Sequence, residues 1–251
     1  RYYHPSNSYI YLYGNMDMAE KLTFIDEHYL SDFGPLEIDS SIGEEPAFAE
    51  PGRRVIEYPI SEGESEEENT FLSWNLSVGN SVDKELYVAF QILDYALCSA
   101  PGAPLKKALV EAGVGKDVYS LFENGIRQPY FSVIAKDTSL GKERQFLDII
   151  RQVLSELAEK GFDEKALLAG INYYEFKYRE ADFGSYPKGL MYGLQILDSW
   201  LYDDRKPFLH IEANETFAFL RTQIGTGYFE KLVRKYLLEN NHAAAPAFQN
   251  S

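Results

Sequence analysis

The spacing of apolar residues predicts five short strands, all within the first 135 residues of the chain. Each run is rich in β-branched and aromatic residues and ends at turn-forming residues, which is typical of strands. The strands are expected at residues 8–13, 53–60, 71–79, 118–123 and 129–135. The last two are expected to pair with each other, because Asn124-Gly125 between them is a dipeptide that favours hairpin turns.

Apolar residues that recur every three or four positions predict helices between and after these strands. The helices are expected at residues 17–33, 83–99, 105–112, 141–160, 163–183, 188–202, 211–224 and 227–239. Asp17 followed by Glu20 has the spacing of a capping box, and Asp163 is placed to cap its own helix. The helix over 83–99 is apolar around most of its circumference and should therefore be buried.

This order of elements predicts an α+β fold in which an antiparallel-rich sheet packs on a layer of helices. It divides the chain into a strand and a helix over 1–34, a linker over 35–52, one domain over 53–242 and an irregular tail over 243–251. The first unit is too small to fold alone, so its strand needs a sheet whose other strands are mostly absent from this chain. A strand edge left unpaired in this way predicts self-association.

The composition indicates a folded protein with a large core and one isolated thiol. Of the 251 residues, 45% are apolar and 15% aromatic, and a chain of this size can remove roughly 70–75% of its unfolded surface from water. Cys98 has no second cysteine to pair with, which excludes an internal disulfide and a thiolate zinc cluster. It lies in an apolar helical segment, so we expect a buried structural thiol. A reducing compartment follows, most simply bacterial-type cytoplasm, with an organelle matrix as the alternative.

The net charge of −15, from 39 acidic and 24 basic residues, limits the classes of partner. Duplex nucleic acid and anionic membranes would be repelled, whereas basic peptides would be attracted. The alternative is that the acidity only keeps the protein in solution. Five of the glutamates fall within residues 62–68, a run that is typical of a solvated loop held open by its own charge.

One stretch comes close to a zinc-peptidase motif and fails at its first position. The motif His-x-x-Glu-His places two histidine ligands one helical turn apart and adds a glutamate that activates a water molecule. Residues 24–28 read Phe-Ile-Asp-Glu-His, so Glu27 and His28 match but Phe24 replaces the first ligand. An aromatic ring offers zinc no lone pair, so the stretch lacks the ligands that a zinc site needs.

No other stretch supplies the residues of a recognisable catalytic or cofactor site. His4, His210 and His242 are scattered along the chain, and no two histidines have metal-ligand spacing. The glycines of Gly113–Asp117 lack the spacing and the Ser or Thr of a phosphate-binding loop. We therefore predict no catalytic, cofactor-binding or metal-binding residue in this chain.

Three stretches resemble the M16C zinc metallopeptidases, the branch that includes presequence protease and falcilysin. Residues 1–17, with their Tyr-rich run, resemble the end of the catalytic domain, and 100–105 and 184–190 resemble parts of the second domain. The resemblance covers about residues 1–241, and 243–251 departs from it. It implies a two-layer LuxS/M16 metallopeptidase-like domain, preceded by a strand and helix of the catalytic domain. The chain also starts without an initiator Met, which indicates a fragment of a longer protein.

The resemblance also implies a function. Four related domains in such peptidases close around an unstructured peptide, and the zinc and its general base lie upstream of the part that this chain resembles. The chain would then be a non-catalytic piece that contributes chamber wall and domain packing, with the remaining M16 domains and unstructured, basic peptides as partners. Two alternatives stay open: a zinc-free M16-fold scaffold or binding module, and a free-standing α+β interaction domain.

Overall fold

The computed structural model of the protein describes residues 2–61, 69–181 and 183–250, so the acidic run at 62–68 lies outside the described residues. Within them, five strands form one mixed sheet in the order β1-β5-β2-β4-β3. The strands are β1 Gly52–Tyr58, β2 Thr70–Ser77, β3 Asp117–Glu123, β4 Tyr130–Thr138 and β5 Ala243–Asn250. β1 and β5 are parallel, and the other neighbouring pairs are antiparallel. The predicted α+β class is confirmed.

The helices follow the predicted positions closely. They are α1 Met18–Ile25, α2 Lys84–Asp94, α3 Pro104–Glu111, α4 Glu143–Lys160, α5 Glu164–Glu180, α6 Lys188–Trp200, α7 Asn214–Thr222 and α8 Tyr228–Val233. Three of them continue for one further turn of π-helical geometry, α1 at Asp26–Leu30, α2 at Tyr95–Ser99 and α8 at Arg234–Leu238. Single 3₁₀ turns lie at Pro5–Asn7 and Leu140–Lys142.

Aspartates begin three of these helices by capping free backbone N–H groups. Asp17 accepts a hydrogen bond from the backbone N–H of Glu20 at 3.0 Å, which confirms the predicted cap of α1. Asp163 accepts one from Lys165 at 3.0 Å in the same way. Asp83 caps α2 through the N–H of Leu86 at 2.9 Å. Each helix therefore starts where a short-range signal in the sequence places its start.

The core lies between the sheet and the helices, with α2 at its centre. Phe90, Ile92 and Leu93 of α2 are fully buried, as the apolar pattern over 83–99 predicts. Alternate residues of β2 and β4 point at the helices and complete this core, namely Leu72, Leu76, Phe131, Val133 and Ala135. Fully burying one such side chain stabilises the fold by about 1.5–3 kcal/mol, so this layer holds the sheet and the helices together.

Residues 8–13 were expected to form a strand, and this prediction is wrong. The segment is extended but pairs with none of the described strands, and instead it runs along α6. Its side chains are not buried either, since Ile10 is 44% exposed. The alternating aromatic pattern specifies an extended backbone, but a strand also needs a neighbour for its hydrogen bonds. No such neighbour is present among the described residues.

Residues 243–251 were expected to form an irregular tail, and the structure instead has a strand, β5, in the interior of the sheet over Ala243–Asn250. The run of alanines and Pro246 has low strand propensity, which explains the wrong prediction. Small side chains fit because Ala247 is almost fully buried under the helices. Pro246 lacks an N–H, and the ladder to β2 is interrupted beside it, where the Ser73 hydroxyl donates to the Pro246 carbonyl at 3.3 Å. The division of the chain at residues 34, 52 and 242 stays a prediction.

Candidate functional site

The stretch that nearly matches a zinc motif lies on the exposed surface of α1 and its π-helical turn. Phe24 and His28 share one face, with ring centroids 4.5 Å apart, and Phe24 is 49% exposed. Glu27 is exposed beside them. The position of the first zinc ligand is therefore filled by a hydrocarbon ring that cannot coordinate a metal.

The four histidines are separated in the structure, and each packs against a different aromatic ring. His4 packs on Phe33, His28 on Phe24, His210 on Tyr87 and His242 on Phe48. Among the described residues, no group of three or more His, Cys, Asp or Glu side chains could hold a metal ion. These residues do not fit zinc, and the predicted lack of site residues in the chain as a whole stays a prediction.

The thiol of Cys98 is buried, as the sequence predicts. It is only 3% exposed, and burial raises its pKa from 9.0 to about 12. The thiolate, which is the nucleophilic form, is therefore scarce at neutral pH. Cys98 belongs to the hydrophobic core.

A row of tyrosines joins the start of the chain to α6, and we call this contact the tyrosine seam. Tyr9, Tyr11 and Tyr13 alternate along the extended segment, so their side chains project on one side about 6.6 Å apart. On α6, Gly189 and Gly193 lie one turn apart, which is a rise of about 6 Å. The two spacings match closely, so successive tyrosines can meet successive glycines.

The tyrosine rings lie so close to α6 that only glycine fits at these two positions of the helix. A Cβ atom added to Gly189 would lie 2.3 Å from Cδ1 of Tyr13. One added to Gly193 would lie 2.9 Å from Cδ1 of Tyr11. Both distances are shorter than van der Waals contact, so any larger residue would push the rings away from the helix.

Polar and aromatic contacts hold the other parts of the seam. Tyr9 packs edge-on against Trp200 with ring centroids 4.6 Å apart, and its hydroxyl donates to Asp204 at 3.0 Å. Burial, followed by this hydrogen bond, raises the pKa of Tyr9. Apolar side chains beside the seam remain open to solvent, and Leu190 and Leu194 of α6 are 53% and 50% exposed.

The sheet has a second surface, on the side away from the core, which we call the open face. A groove of about 480 Å³ runs across it. Its lining is mostly aromatic and apolar, with short polar side chains between, namely Tyr58, Phe71, Ser73, Asn75, Tyr119, Leu121, Tyr130, Ser132, Ile134, Pro246 and Phe248. Tyr119 and Leu121 are 40% and 43% exposed, so the surface is accessible. None of these lining side chains is acidic.

A line of hydrogen bonds crosses the middle of the open face. The Ser132 hydroxyl donates to Oδ1 of Asn75 at 2.5 Å, and the Asn75 amide donates to Oγ of Ser73 at 3.0 Å. These short polar side chains lie between larger aromatic residues on both sides. The hydrogen bonds satisfy these polar side chains within the sheet, and the larger aromatic rings form the accessible part of the groove.

Comparisons with known proteins place the chain within one family. The model of the family described as peptidase M16 inactive domain matches residues 1–174. Protein HypA of Clostridium perfringens is 41% identical over 244 residues, covering 97% of this chain and 25% of its own length. Presequence protease 1, chloroplastic/mitochondrial, of Arabidopsis thaliana is 34% identical over 251 residues, covering 96% of this chain and 23% of its own length. The chain spans about a quarter of the length of these curated relatives.

Solved structures with the same fold are more distant in sequence. A conserved protein from Enterococcus faecalis V583 has a TM-score of 0.67 at 13% identity, over 95% of this chain and 51% of its own. A peptidase M16 inactive domain from Pseudomonas fluorescens has a TM-score of 0.61 at 18% identity, over 95% of this chain and 52% of its own. At these identities the likeness shows the fold alone. Among the described residues, no helix has both the length and the apolar character needed to span a membrane.

Sequence reasoning found the motif at 184–190 by resemblance but missed the role of Gly189 within it. The signal was present in the sequence, as two glycines four residues apart in a helix and three tyrosines two residues apart in an extended segment. Nothing in the sequence indicated that these two patterns meet, because about 180 residues separate them.

Proposed function

The chain belongs to the peptidase M16 inactive domain family, and from this premise we propose that it is a non-catalytic part of a longer zinc-dependent metalloendopeptidase that degrades unstructured peptides. The family match over residues 1–174 carries the proposal. Relatives about four times as long, one of which is named a presequence protease, support it. In this proposal the zinc is held outside the chain, since Phe24 stands at the one position where a first histidine ligand would fall.

Peptide hydrolysis by the isolated chain tests the non-catalytic role. A quenched-fluorescent, basic and unstructured peptide is incubated with the 251-residue chain and one equivalent of zinc, with and without a chelator. We expect no turnover that the chelator abolishes. Chelator-sensitive turnover would overturn the proposal and would direct attention back to Glu27 and His28.

We further propose that the open face forms part of the wall of a closed peptide chamber. Its accessible aromatic groove supports this role. The test is made in the complete polypeptide, where Leu121→Ala is expected to raise KM for a long unstructured peptide severalfold. Leu168→Ala on the exposed side of α5, where the leucine is 39% exposed, is the matched control. Equal KM values for the two variants would count against the wall.

The preference for basic peptides rests on the net charge of −15. Because the groove lining contains no carboxylate, the attraction would act at long range and not by direct ion pairs. Long-range attraction is screened by salt, with a Debye length of about 8 Å at physiological ionic strength. Peptide affinity is therefore expected to fall as salt is added, and affinity that does not change with salt would contradict the preference.

The partners within the longer protein are, in this proposal, the other M16 domains. The tyrosine seam and the exposed leucines of α6 offer the apolar surface on which such a domain would pack. We propose a reducing compartment of the bacterial-cytoplasm type, supported by the single buried thiol. Fractionation of cells that express the complete polypeptide tests this location.

A further inference from the structure

A second cavity lies within the helical layer, and its lining includes Leu194 of α6. It has a volume of about 560 Å³ and lies between α2, α5, α6 and the start of α7. Its lining is rich in aromatic rings, contributed by Tyr87, Tyr174, Tyr178, Phe183 and Tyr192. Aromatic faces carry negative electrostatic potential, so a cavity with such walls favours a positively charged ligand.

A carboxylate in the cavity lining adds a full negative charge. Asp198 of α6 accepts a hydrogen bond on Oδ2 from the Tyr87 hydroxyl at 2.7 Å. No Lys or Arg among the described residues forms an ion pair with it. Its other oxygen, Oδ1, faces the backbone of Gly125, where Oε1 of Glu123 also lies close. Burial, and then the negative charge of Glu123, raise the pKa of Asp198 to about 6, which is still below neutral pH.

A half-buried carboxylate without a counter-ion is costly, which points to a ligand that supplies the positive charge. The two basic residues in the lining do not supply it. Lys177 Nζ lies 4.9 Å from the centroid of the Tyr173 ring, and Arg179 pairs with Glu175 at 2.6 Å. Both side chains are exposed and held by these other partners.

We propose that this cavity binds a guanidinium group, with Asp198 as its counter-ion and the lining tyrosines other than Tyr87 as its stacking partners. A guanidinium is planar, stacks on aromatic faces and donates hydrogen bonds to a carboxylate. It is also more weakly hydrated than an ammonium group, so it enters an aromatic cavity at lower cost. The Tyr87 hydroxyl donates one hydrogen bond to the Asp198 carboxylate, which has further lone pairs to accept from a charged donor in the cavity.

Calorimetric titration of the 251-residue chain with Nα-acetyl-argininamide tests the proposal. Binding is expected, and the citrulline analogue, which has the same shape without the charge, should bind at least tenfold more weakly. Asp198→Asn should weaken binding of the arginine compound at least tenfold, because asparagine keeps an acceptor for Tyr87 but removes the charge. Asp148→Asn, at an exposed position of α4, is the control for net charge and should leave binding unchanged. Circular dichroism checks that both variants are folded.

The same titration with an unstructured peptide that contains one internal arginine identifies the source of the group. Tighter binding of the peptide than of the small compound assigns the site to an arginine side chain of a polypeptide, and the reverse assigns it to a small guanidinium compound. Equal binding of arginine and citrulline, equal binding of Nα-acetyl-lysinamide, or full affinity in Asp198→Asn would each overturn the proposal. No catalysis is measured, so the result is independent of the peptidase role.

Discussion

At the scale of single residues, the most unusual environment belongs to His210. Its side chain is 1% exposed and stacks on Tyr87 with ring centroids 3.6 Å apart. Neither ring nitrogen has a hydrogen-bond partner among the described residues, and the nearby backbone of Ser81 makes no bond of normal geometry with the ring. Burial lowers the pKa of His210 to about 4, because the charged form would lose its hydration. The neutral imidazole therefore packs as an apolar ring, and its protonation in acid destabilises the folded protein.

Replacing His210 with phenylalanine is expected to make the protein less sensitive to acid. The unfolded chain takes up a proton near pH 6.5, whereas the folded chain does so only near pH 4. The stability that His210 contributes is therefore complete above pH 6.5 and is lost as pH falls towards 4, by up to about 3 kcal/mol. Urea unfolding of both proteins at pH 7, 5 and 4 should show a smaller loss in His210→Phe. Parallel losses in the two proteins would contradict this account.

The absence of a Cβ atom at the glycines of α6 allows the extended start of the chain to pack against this helix. Gly193→Ala is expected to release the start of the chain, because the new Cβ would overlap the ring of Tyr11. The helix itself should gain up to ~1 kcal/mol, since alanine is the better helix former. Chymotrypsin should then cut after the tyrosines of residues 9–13 much faster, while the unfolding midpoint of the domain stays the same or rises.

Gly141→Ala is the matched control, because nothing lies within 4 Å of a Cβ at that position. Its cleavage pattern should equal that of the unchanged protein. Equal protection of residues 9–13 in both variants would mean that the tyrosine seam does not depend on the glycine.

At the scale of elements, the strand β5 is the one whose position in the sheet the local sequence pattern does not predict. The helices and β1 to β4 are predicted because their apolar periods of 3.6 and 2 are local properties of the chain. β5 consists of small residues and a proline, and its place in the sheet depends on partners about 170 to 190 residues away. Its structure comes from the neighbours that enclose it and not from its own propensity.

Ala247→Asp is expected to destabilise the protein by about 2–4 kcal/mol. The side chain at 247 is 1% exposed and faces the helices, so a carboxylate there would be buried without a partner. The midpoint of denaturant unfolding measures the effect. Ala49→Asp, in the exposed linker, is the control and should change stability by less than about 0.5 kcal/mol. If the two variants were equally stable, β5 would not be a part of the folded sheet.

At the scale of the whole molecule, exposed apolar residues occur in several segments of the chain. They include the extended start of the chain, α1 and the outer face of α6, with Ile10, Phe24, Leu190 and Leu194 all at least 44% exposed. Exposed apolar surface of this kind is typical of a protein–protein contact. In the proposed longer protein the partner would be another M16 domain, and for the isolated chain we expect it to be a second copy.

The isolated chain is therefore expected to self-associate, as its unpaired aromatic segment also predicts. Sedimentation velocity over a hundredfold range of concentration should show a rising average mass. Leu194→Lys should shift the association to at least tenfold higher concentration, because the charge would be buried in the contact. Val110→Lys places the same charge on α3, where the valine is 42% exposed, and should have no effect. A mass that stays monomeric throughout would rule out this surface as the contact.

The sequence by itself determined the local features of this protein. Its apolar periods place the helices and four strands, its aspartates place the helix starts, and Phe24 removes the first ligand of the zinc motif. These features depend on residues a few positions apart, whose geometry the backbone sets. Family resemblance added the fold and the family, because it compares the whole chain at once.

Only the tertiary structure decided which distant segments meet. It brings Tyr87 and Asp198 together across 111 residues, lays the tyrosines of the first segment on the glycines of α6, and inserts β5 between β1 and β2. None of these contacts has a local signature, because each is selected by the shape and burial of the assembled core. The aromatic cavity around Asp198 exists only once four helices have packed, so no reading of the chain in order could have found it.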